Sequence, residues 1–124
     1  MALHLEKETY EILGACFEVY NQMGCGFVEP VYHQCLLIEL TQRGIHFESK
    51  VPLALAYKGQ PLELKFIPDL VCFGSVIVEI KAVSDLNDVF RAQVHNYLKA
   101  TGLKVGLLAN FGSHPKLEYE RIVR

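Results

Sequence analysis

The sequence predicts an α/β fold in which helices flank one mixed β-sheet. Apolar residues recur at helical spacing in the first third of the chain and alternate with polar residues in the middle. A further helix then separates this middle region from an apolar strand near the end. Helices clustered around one sheet bury a common core, so the expected order of elements is ααβββαββ.

Two helices are expected at the start of the chain. The first is predicted over residues 5–23, where apolar residues recur at helical spacing ahead of Gly24 and Gly26. The second begins with Pro30 in its first turn, a position that proline favours, and Gly44 is expected to end it.

The middle and the end of the chain predict strands around a third helix. Strands over residues 51–57, 62–73 and 76–83 are expected to form an antiparallel meander, with turns at residues 58–60 and at Gly74-Ser75. The elements expected after the meander are a helix over 85–100, with Ser84 or Asp85 as N-cap and Gly102 after its end, a strand over 104–109, and an edge strand over 117–123.

Length and composition restrict the class of protein. With 124 residues, 51% of them hydrophobic and 21% charged, the chain is expected to form one domain, residues 1–124, with a substantial core. Its four cysteines form no CxxC pair, which predicts reduced thiols and no structural zinc. No apolar run approaches the ~20 residues of a membrane span, so we expect a cytoplasmic protein without a membrane partner. The net charge of −2 argues against a broad surface for nucleic acid.

Three charged residues interrupt otherwise apolar strands. Glu79 and Lys81 share one face of a predicted strand that is apolar on both faces around them. Asp69 precedes the apolar residues 70–73, and the following turn places it roughly opposite the segment from Glu79 to Lys81. Carboxylates this close repel each other unless a divalent cation lies between them, and oxygen ligands favour Mg²⁺ or Mn²⁺. The alternative is an exposed ion pair, which explains most ExK triplets on strands.

Further polar residues fall where they could serve the same site. Gln93 interrupts the apolar stripe of the third helix and Tyr97 follows one turn later, so an amide and a phenol could both reach over the sheet. Glu29 begins the second helix, with Tyr32 three residues on, and could supply another acid. Each also has a structural explanation, because an acid favours a helix start and a helical tyrosine is more often core. The order of these residues along the chain brings them to one end of one sheet. This order favours a shared functional role over the separate structural explanations.

These residues together resemble the motifs of the PD-(D/E)xK nuclease superfamily. The third-helix residues are similar to the QxxxY signature of RecB-like exonucleases, and the start of the second helix resembles the motif of the GxxExxY family within that superfamily. The matching segments, which follow the family order, are Gly26 to Tyr32, Pro68-Asp69, Glu79-Ile80-Lys81 and Gln93 to Tyr97.

The resemblance implies a restriction-endonuclease-like fold and a Mg²⁺- or Mn²⁺-dependent nuclease that cleaves DNA by attack of water at phosphorus. It implies that Lys81 orients or activates this water. The metal ligands it implies are Asp69, Glu79, the carbonyl of Ile80 and Glu29. The residues it implies for substrate positioning or site support are Gln93, Tyr97 and Tyr32.

The chain also departs from larger RecB-like nucleases. Many of these carry a histidine metal ligand ahead of the aspartate, whereas here Glu29 lies in the comparable helix and His46 lies in a loop. Basic residues are scattered, so DNA binding should be weak and salt-sensitive, and a homodimer or a partner protein could enlarge the groove. Two alternatives stay open. One is a nuclease-like module that binds nucleic acid or protein in a larger assembly without turnover, and the other is a structural protein whose buried ion pair binds no divalent ion.

Overall fold

The computed structural model describes residues 5–124, which form three layers. The elements in chain order are α1 Glu6–Met23, α2 Glu29–Gln42, β1 Phe47–Ser49, β2 Leu53–Tyr57, β3 Gln60–Phe66, β4 Leu70–Cys72, β5 Val76–Lys81, α3 Asp88–Thr101, β6 Val105–Asn110 and β7 Glu118–Val123. Helices α1 and α2 cover one face of a five-stranded sheet, and α3 covers the other face. A two-stranded hairpin of β2 and β3 lies beside α3.

The five-stranded sheet is mixed, with the strand order β1-β4-β5-β6-β7. Strands β5 and β6 are parallel and are connected through α3, while the other neighbours pair antiparallel. A parallel pair needs such a crossover because both strands must start at the same end of the sheet. The mixed sheet flanked by helices confirms the predicted fold class, and β7 lies at a sheet edge as expected.

Strand β5 separates two apolar layers of the core. Val76, Val78 and Ile80 pack on the side of α1 and α2, whereas Ile77 packs on the side of α3. All four side chains are fully buried. A polar side chain on this strand therefore lies between apolar layers, and burial is costly unless the side chain finds partners there.

The predicted three-stranded meander is wrong at residues 62–73. Strand β3 ends at Phe66, β4 begins at Leu70, and the two strands belong to different sheets. Pro68 is buried between them, and proline gives no N–H to a ladder and restricts the residue before it, which interrupts a regular strand. Strand β4 pairs with β5 and with β1, a three-residue strand absent from the sequence prediction. The observed order is therefore ααβββββαββ.

Helix α3 begins later than the sequence predicts. Its N-cap is Asn87, whose side-chain oxygen accepts a hydrogen bond from the N–H of Phe90. The predicted caps, Ser84 and Asp85, lie before this point in an irregular segment. The side chain of buried Asn110 holds the start of this segment by hydrogen bonds to both backbone groups of residue 83.

The other helix boundaries agree with the sequence. Helix α1 ends at Gly24, α2 carries Pro30 in its first turn, and Gly102 ends α3 in the left-handed conformation. All four cysteines are free thiols, as expected. In the described part of the chain, residues 5–124, none of the helices combines the length and the apolar character that a membrane crossing requires.

Candidate active site

Asp69 and Glu79 meet at the end of the ladder between β4 and β5. The last pair of this ladder is Leu70 with Val78. The next position along both strands brings Asp69 opposite Glu79, which lies within the segment that the predicted turn indicated. The N–H of Asp69 donates to Glu79 Oε2 at 2.7 Å, and the N–H of Ile80 donates to Asp69 Oδ2 at 2.8 Å. Each carboxylate is thus held by the backbone of the opposite strand.

Glu79 carries a carboxyl group into the layer between β5 and α3. Only 5% of its surface is exposed. Burial, and after it the charge of Asp69, raise the pKa of Glu79 to about 7, while the hydrogen bond from Asp69 and the charge of Lys81 oppose the rise. A cation beside Glu79 would stabilise its charged form.

Lys81 lies on the same face of β5 as Glu79, the face that α3 covers. Its ammonium is 4.5 Å from the centre of the Phe90 ring in α3, which is a cation–π distance. Its charge opposes the rise in the pKa of both Glu79 and Glu29. The field of this ammonium therefore reaches two carboxylates.

Glu29 stands at the first position of α2 and is half-buried. Burial is the main cause that raises its pKa, and the charge of Asp69 raises it further. The charges of Lys81 and Lys50 act in the opposite direction. The acid predicted from the second helix is therefore electrostatically coupled to the pair on the sheet.

Helix α3 brings Tyr97 to the same carboxylates. The pKa of Tyr97 is raised by burial and then by the charges of Glu79 and Asp69. Its ring stacks on Phe66 of the hairpin, with the ring centres 4.2 Å apart. Gln93 lies one helical turn earlier on α3 and is half-buried. The predicted QxxxY pair therefore lies on the helix that borders the site.

Tyr32 holds the loop that leads into α2. It is fully buried, and its hydroxyl donates to the carbonyl of Gly24 at 2.6 Å and accepts from the N–H of Phe27 at 3.1 Å. Its ring stacks on Phe111 with the ring centres 4.8 Å apart. The hydroxyl thus faces the loop that leads into α2, and it fixes the approach of the chain to Glu29.

Two residues near the carboxylates were not singled out from the sequence. His33 is 8% exposed and forms a hydrogen bond of 2.8 Å between Nε2 and Ser49 Oγ. Burial lowers the pKa of His33, and the charge of Asp69 opposes this. His33 lies four residues after Glu29, a spacing that places both side chains on one helix face. This spacing is the sequence signal that could have identified His33. Lys50 follows β1, so its placement depends on a strand that the sequence did not predict.

A cavity of about 180 Å³ opens between the start of α2 and the chain after β1. The residues that line it are Glu29, Pro30, His33, Gln34 and Lys50. Within residues 5–124, no group of three or more His, Cys, Asp and Glu side chains converges closely enough to hold a metal ion. A metal at the Asp69–Glu79 pair would therefore need backbone, water or substrate oxygens as further ligands.

The architecture defines a class of fold. A mixed central sheet flanked by helices is consistent with a restriction-endonuclease-like fold. The family model of the PD-(D/E)XK nuclease superfamily matches residues 6–122. The chain belongs to this superfamily.

A solved structure shares this fold. The crystal structure of SSO0001 matches 77% of this chain with a TM-score of 0.62 and 18% sequence identity. The matched region covers 49% of that protein, so this chain spans about half of its length, and the similarity shows the fold alone. A search of curated proteins found no significant match.

Proposed function

We propose that the chain is a nuclease that hydrolyses DNA with Mg²⁺ or Mn²⁺ and belongs to the GxxExxY family of RecB-like proteins. The observation that carries the proposal is the mutual anchoring of Asp69 and Glu79, each through a backbone N–H of the opposite strand. Such anchoring holds two acids together in spite of their repulsion. The electrostatic coupling of Glu29 and Tyr97 to this pair supports the assignment of both family motifs.

The oxygen atoms available at this junction fit a hard divalent ion. The backbone hydrogen bonds occupy Asp69 Oδ2 and Glu79 Oε2, so a metal would bind through Glu79 Oε1 and through Asp69 Oδ1, which lies 3.5 Å from the Lys50 ammonium. The N–H and C=O of one strand residue face the same neighbouring strand, so we expect the Ile80 carbonyl to face the side of Asp69. Mg²⁺ binds through one or two carboxylates and keeps several waters, so a third acid is not required. A divalent ion would also relieve the repulsion that contributes to the raised pKa of Glu79.

The chain's own residues have separate tasks in this proposal. A bound divalent ion would supply Lewis-acid chemistry, because it lowers the pKa of water and offsets charge on a phosphate. Lys81 would hold the attacking water or a phosphate oxygen through its N–H donors, from the same face of β5 as Glu79. Glu29 would act from α2 through its negative charge, because no three acids of residues 5–124 converge closely enough to share one ion.

The surroundings of the site would position the substrate. Tyr97 is electrostatically coupled to the carboxylates, and Gln93 lies one turn earlier on α3, so their phenol and amide would bind a phosphate or a base there. Tyr32 would act indirectly by fixing the loop before Glu29. The net charge of −2 predicts weak, salt-sensitive DNA binding, which a homodimer or a partner protein would strengthen.

A cleavage assay tests the proposal. Single-stranded, double-stranded and branched DNA are incubated with the protein in Mn²⁺, in Mg²⁺ and in EDTA. We expect cleavage only with a divalent ion, and a loss of about a hundredfold or more in Asp69→Asn and Lys81→Met. Lys65→Met, at an exposed lysine of β3, is the matched control and should cleave like the wild type. Equal rates in all four proteins would contradict the proposal.

The second candidate is a nuclease-like module that binds nucleic acid or a protein without turnover. The lack of a three-residue metal cluster among residues 5–124 favours it, because two carboxylates alone hold a metal weakly. This candidate predicts oligonucleotide or partner affinity that Asp69→Asn leaves unchanged, with no cleavage in any divalent ion.

A further inference from the structure

Lys50 is held against Asp69 in a backbone conformation that lysine rarely adopts. Its φ angle is 53°, in the left-handed region. Its N–H donates to the backbone carbonyl of Asp69 at 3.1 Å, and its ammonium lies 3.5 Å from Asp69 Oδ1. Left-handed residues other than glycine persist where the surrounding structure holds them, and they concentrate at functional sites.

The ammonium of Lys50 contacts the oxygen of Asp69 that a metal would use. The other oxygen, Oδ2, accepts the N–H of Ile80. A divalent ion and an ammonium that approach the same oxygen repel each other, so the binding of one weakens the contact of the other. The two cations are therefore competitors at Oδ1.

We infer that Lys50 is a metal-controlled binding residue for a phosphate of the nucleic acid. Without metal it neutralises Asp69, and when an ion takes Oδ1 the ammonium is released to a substrate phosphate. The inference rests on the proposed nuclease function. The Lys50 side chain is 58% exposed and borders the cavity between α2 and β1, so it can leave Asp69 without unfolding its surroundings.

The neighbours of Lys50 favour this exchange. The charge of Lys50 acts on Glu29 and His33 across the cavity, so its ammonium lies near the acidic end of the site. Lys81, by contrast, is held over the Phe90 ring. Release of Lys50 would supply a cation at the cavity when the metal is bound, and metal binding would then increase the affinity for a polyanion.

The first test is calorimetric titration of Mn²⁺ into the wild type, Lys50→Met and Lys50→Gly. Methionine keeps most of the stem, and glycine suits the left-handed backbone, so at least one variant should fold. Because an ion pair at a partly exposed site has a modest free energy, we expect Mn²⁺ to bind both variants about two- to fivefold more tightly. Lys7→Met, at an exposed lysine of α1, is the control and should match the wild type.

The second test measures affinity for a single-stranded oligonucleotide, with Ca²⁺ replacing Mn²⁺ to prevent cleavage, and again in EDTA. Lys50→Met should weaken binding in Ca²⁺ and lower the slope of log affinity against log salt by about 0.7, which corresponds to one phosphate contact. In EDTA the same substitution should reduce the affinity for the oligonucleotide less, because Lys50 then forms its ion pair with Asp69. A purely structural role would not make metal binding tighter and DNA binding weaker in one variant.

The outcomes separate this inference from the proposed function. If the wild type binds Mn²⁺ and both Lys50 variants bind it with wild-type affinity, the inference is wrong and the nuclease proposal stands. An oligonucleotide effect equal in Ca²⁺ and in EDTA would also overturn it. If the wild type binds no Mn²⁺, the proposed function itself fails.

Discussion

The same ExK triplet occurs twice in the molecule, in two different environments. Glu63-Leu64-Lys65 lies in β3 of the hairpin, and Glu79-Ile80-Lys81 lies in β5 of the main sheet. All three residues in β3 are exposed, and Leu64 is 79% exposed. In β5 the middle residue is fully buried and the glutamate is 5% exposed. Spacing alone therefore does not distinguish a candidate site from a solvated strand.

The difference arises from what surrounds each strand. Strand β3 pairs with β2 in a two-stranded sheet, whereas β5 has a strand on each side and helices over both faces. Solvent screens the charges of the hairpin triplet. In β5, burial raises the pKa of Glu79 and the register of β4 brings Asp69 against it. Desolvation and a second acid therefore distinguish the triplet in β5 from the one in β3.

The largest change in the free energy of unfolding should come from the packing of apolar side chains in the two strands that carry the triplets. Ile77→Ala removes a fully buried side chain between β5 and α3, and we expect it to lower the free energy of unfolding by about 4 kcal/mol. Leu64→Ala in the hairpin should change it by about 0.5 kcal/mol or less, because that side chain is mostly exposed. Urea unfolding of both variants measures the contrast. Similar losses would show that the hairpin contributes as much as the core.

The next effect is a pH dependence confined to one of the two glutamates. The pKa of Glu79 is raised from 4.5 to about 7 in the folded protein, so the folded state favours its protonated form. The stability that the protonated form of Glu79 contributes is fully present below 4.5, its pKa in the unfolded chain, and is lost as the pH rises through about 7. Glutamine stays neutral at every pH. In EDTA, the free energy of unfolding of Glu79→Gln relative to that of the wild type should therefore rise by about 2 kcal/mol from about pH 5 to about pH 8.

Glu63→Gln is the matched control for this measurement. Glu63 is exposed in β3, so its substitution should leave the pH dependence of unfolding unchanged. Thermal or urea unfolding of the three proteins across this pH range decides the point. A difference between Glu79→Gln and the wild type that stays constant with pH would contradict the account of Glu79.

The smallest effect concerns the contact that joins the two regions. Phe66, the last residue of β3, stacks on Tyr97 of α3. Phe66→Leu keeps an apolar side chain but loses the ring contact, and we expect a loss of about 1 kcal/mol in the free energy of unfolding. Urea unfolding measures it, with Leu62→Ala, at an exposed side chain of the same strand, as the control. An equal loss in both variants would show that the ring stacking has no specific contribution.

Much of the site follows from local sequence patterns. A tight turn between two apolar strands fixes their register, so the opposition of Asp69 and Glu79 is determined within about ten residues of chain. Alternation along β5 places Lys81 on the face of Glu79, and helical spacing places Gln93 and Tyr97 on one side of α3. These arrangements depend on near neighbours, whose geometry periodicity describes well.

The parts that were missed depend on distant contacts. Strand β1 has three residues, too few for a pattern of alternation, and only its pairing with β4 identifies it. Lys50 could therefore not be placed beside Asp69, and the hydrogen bond between His33 and Ser49 was equally hidden. The late start of α3 also depends on distant contacts, because Asn110 holds the backbone ahead of the helix.

The central claim is that Glu79, together with Asp69, binds a divalent metal ion and that the hairpin triplet does not. Calorimetric titration of Mn²⁺ into the wild type, Glu79→Gln and Glu63→Gln at neutral pH tests it most directly. We expect the wild type and Glu63→Gln to bind Mn²⁺ with the same affinity, and Glu79→Gln to bind at least about tenfold more weakly because it lacks one of two anionic ligands. Wild-type affinity in Glu79→Gln, or no binding by the wild type, would contradict the claim.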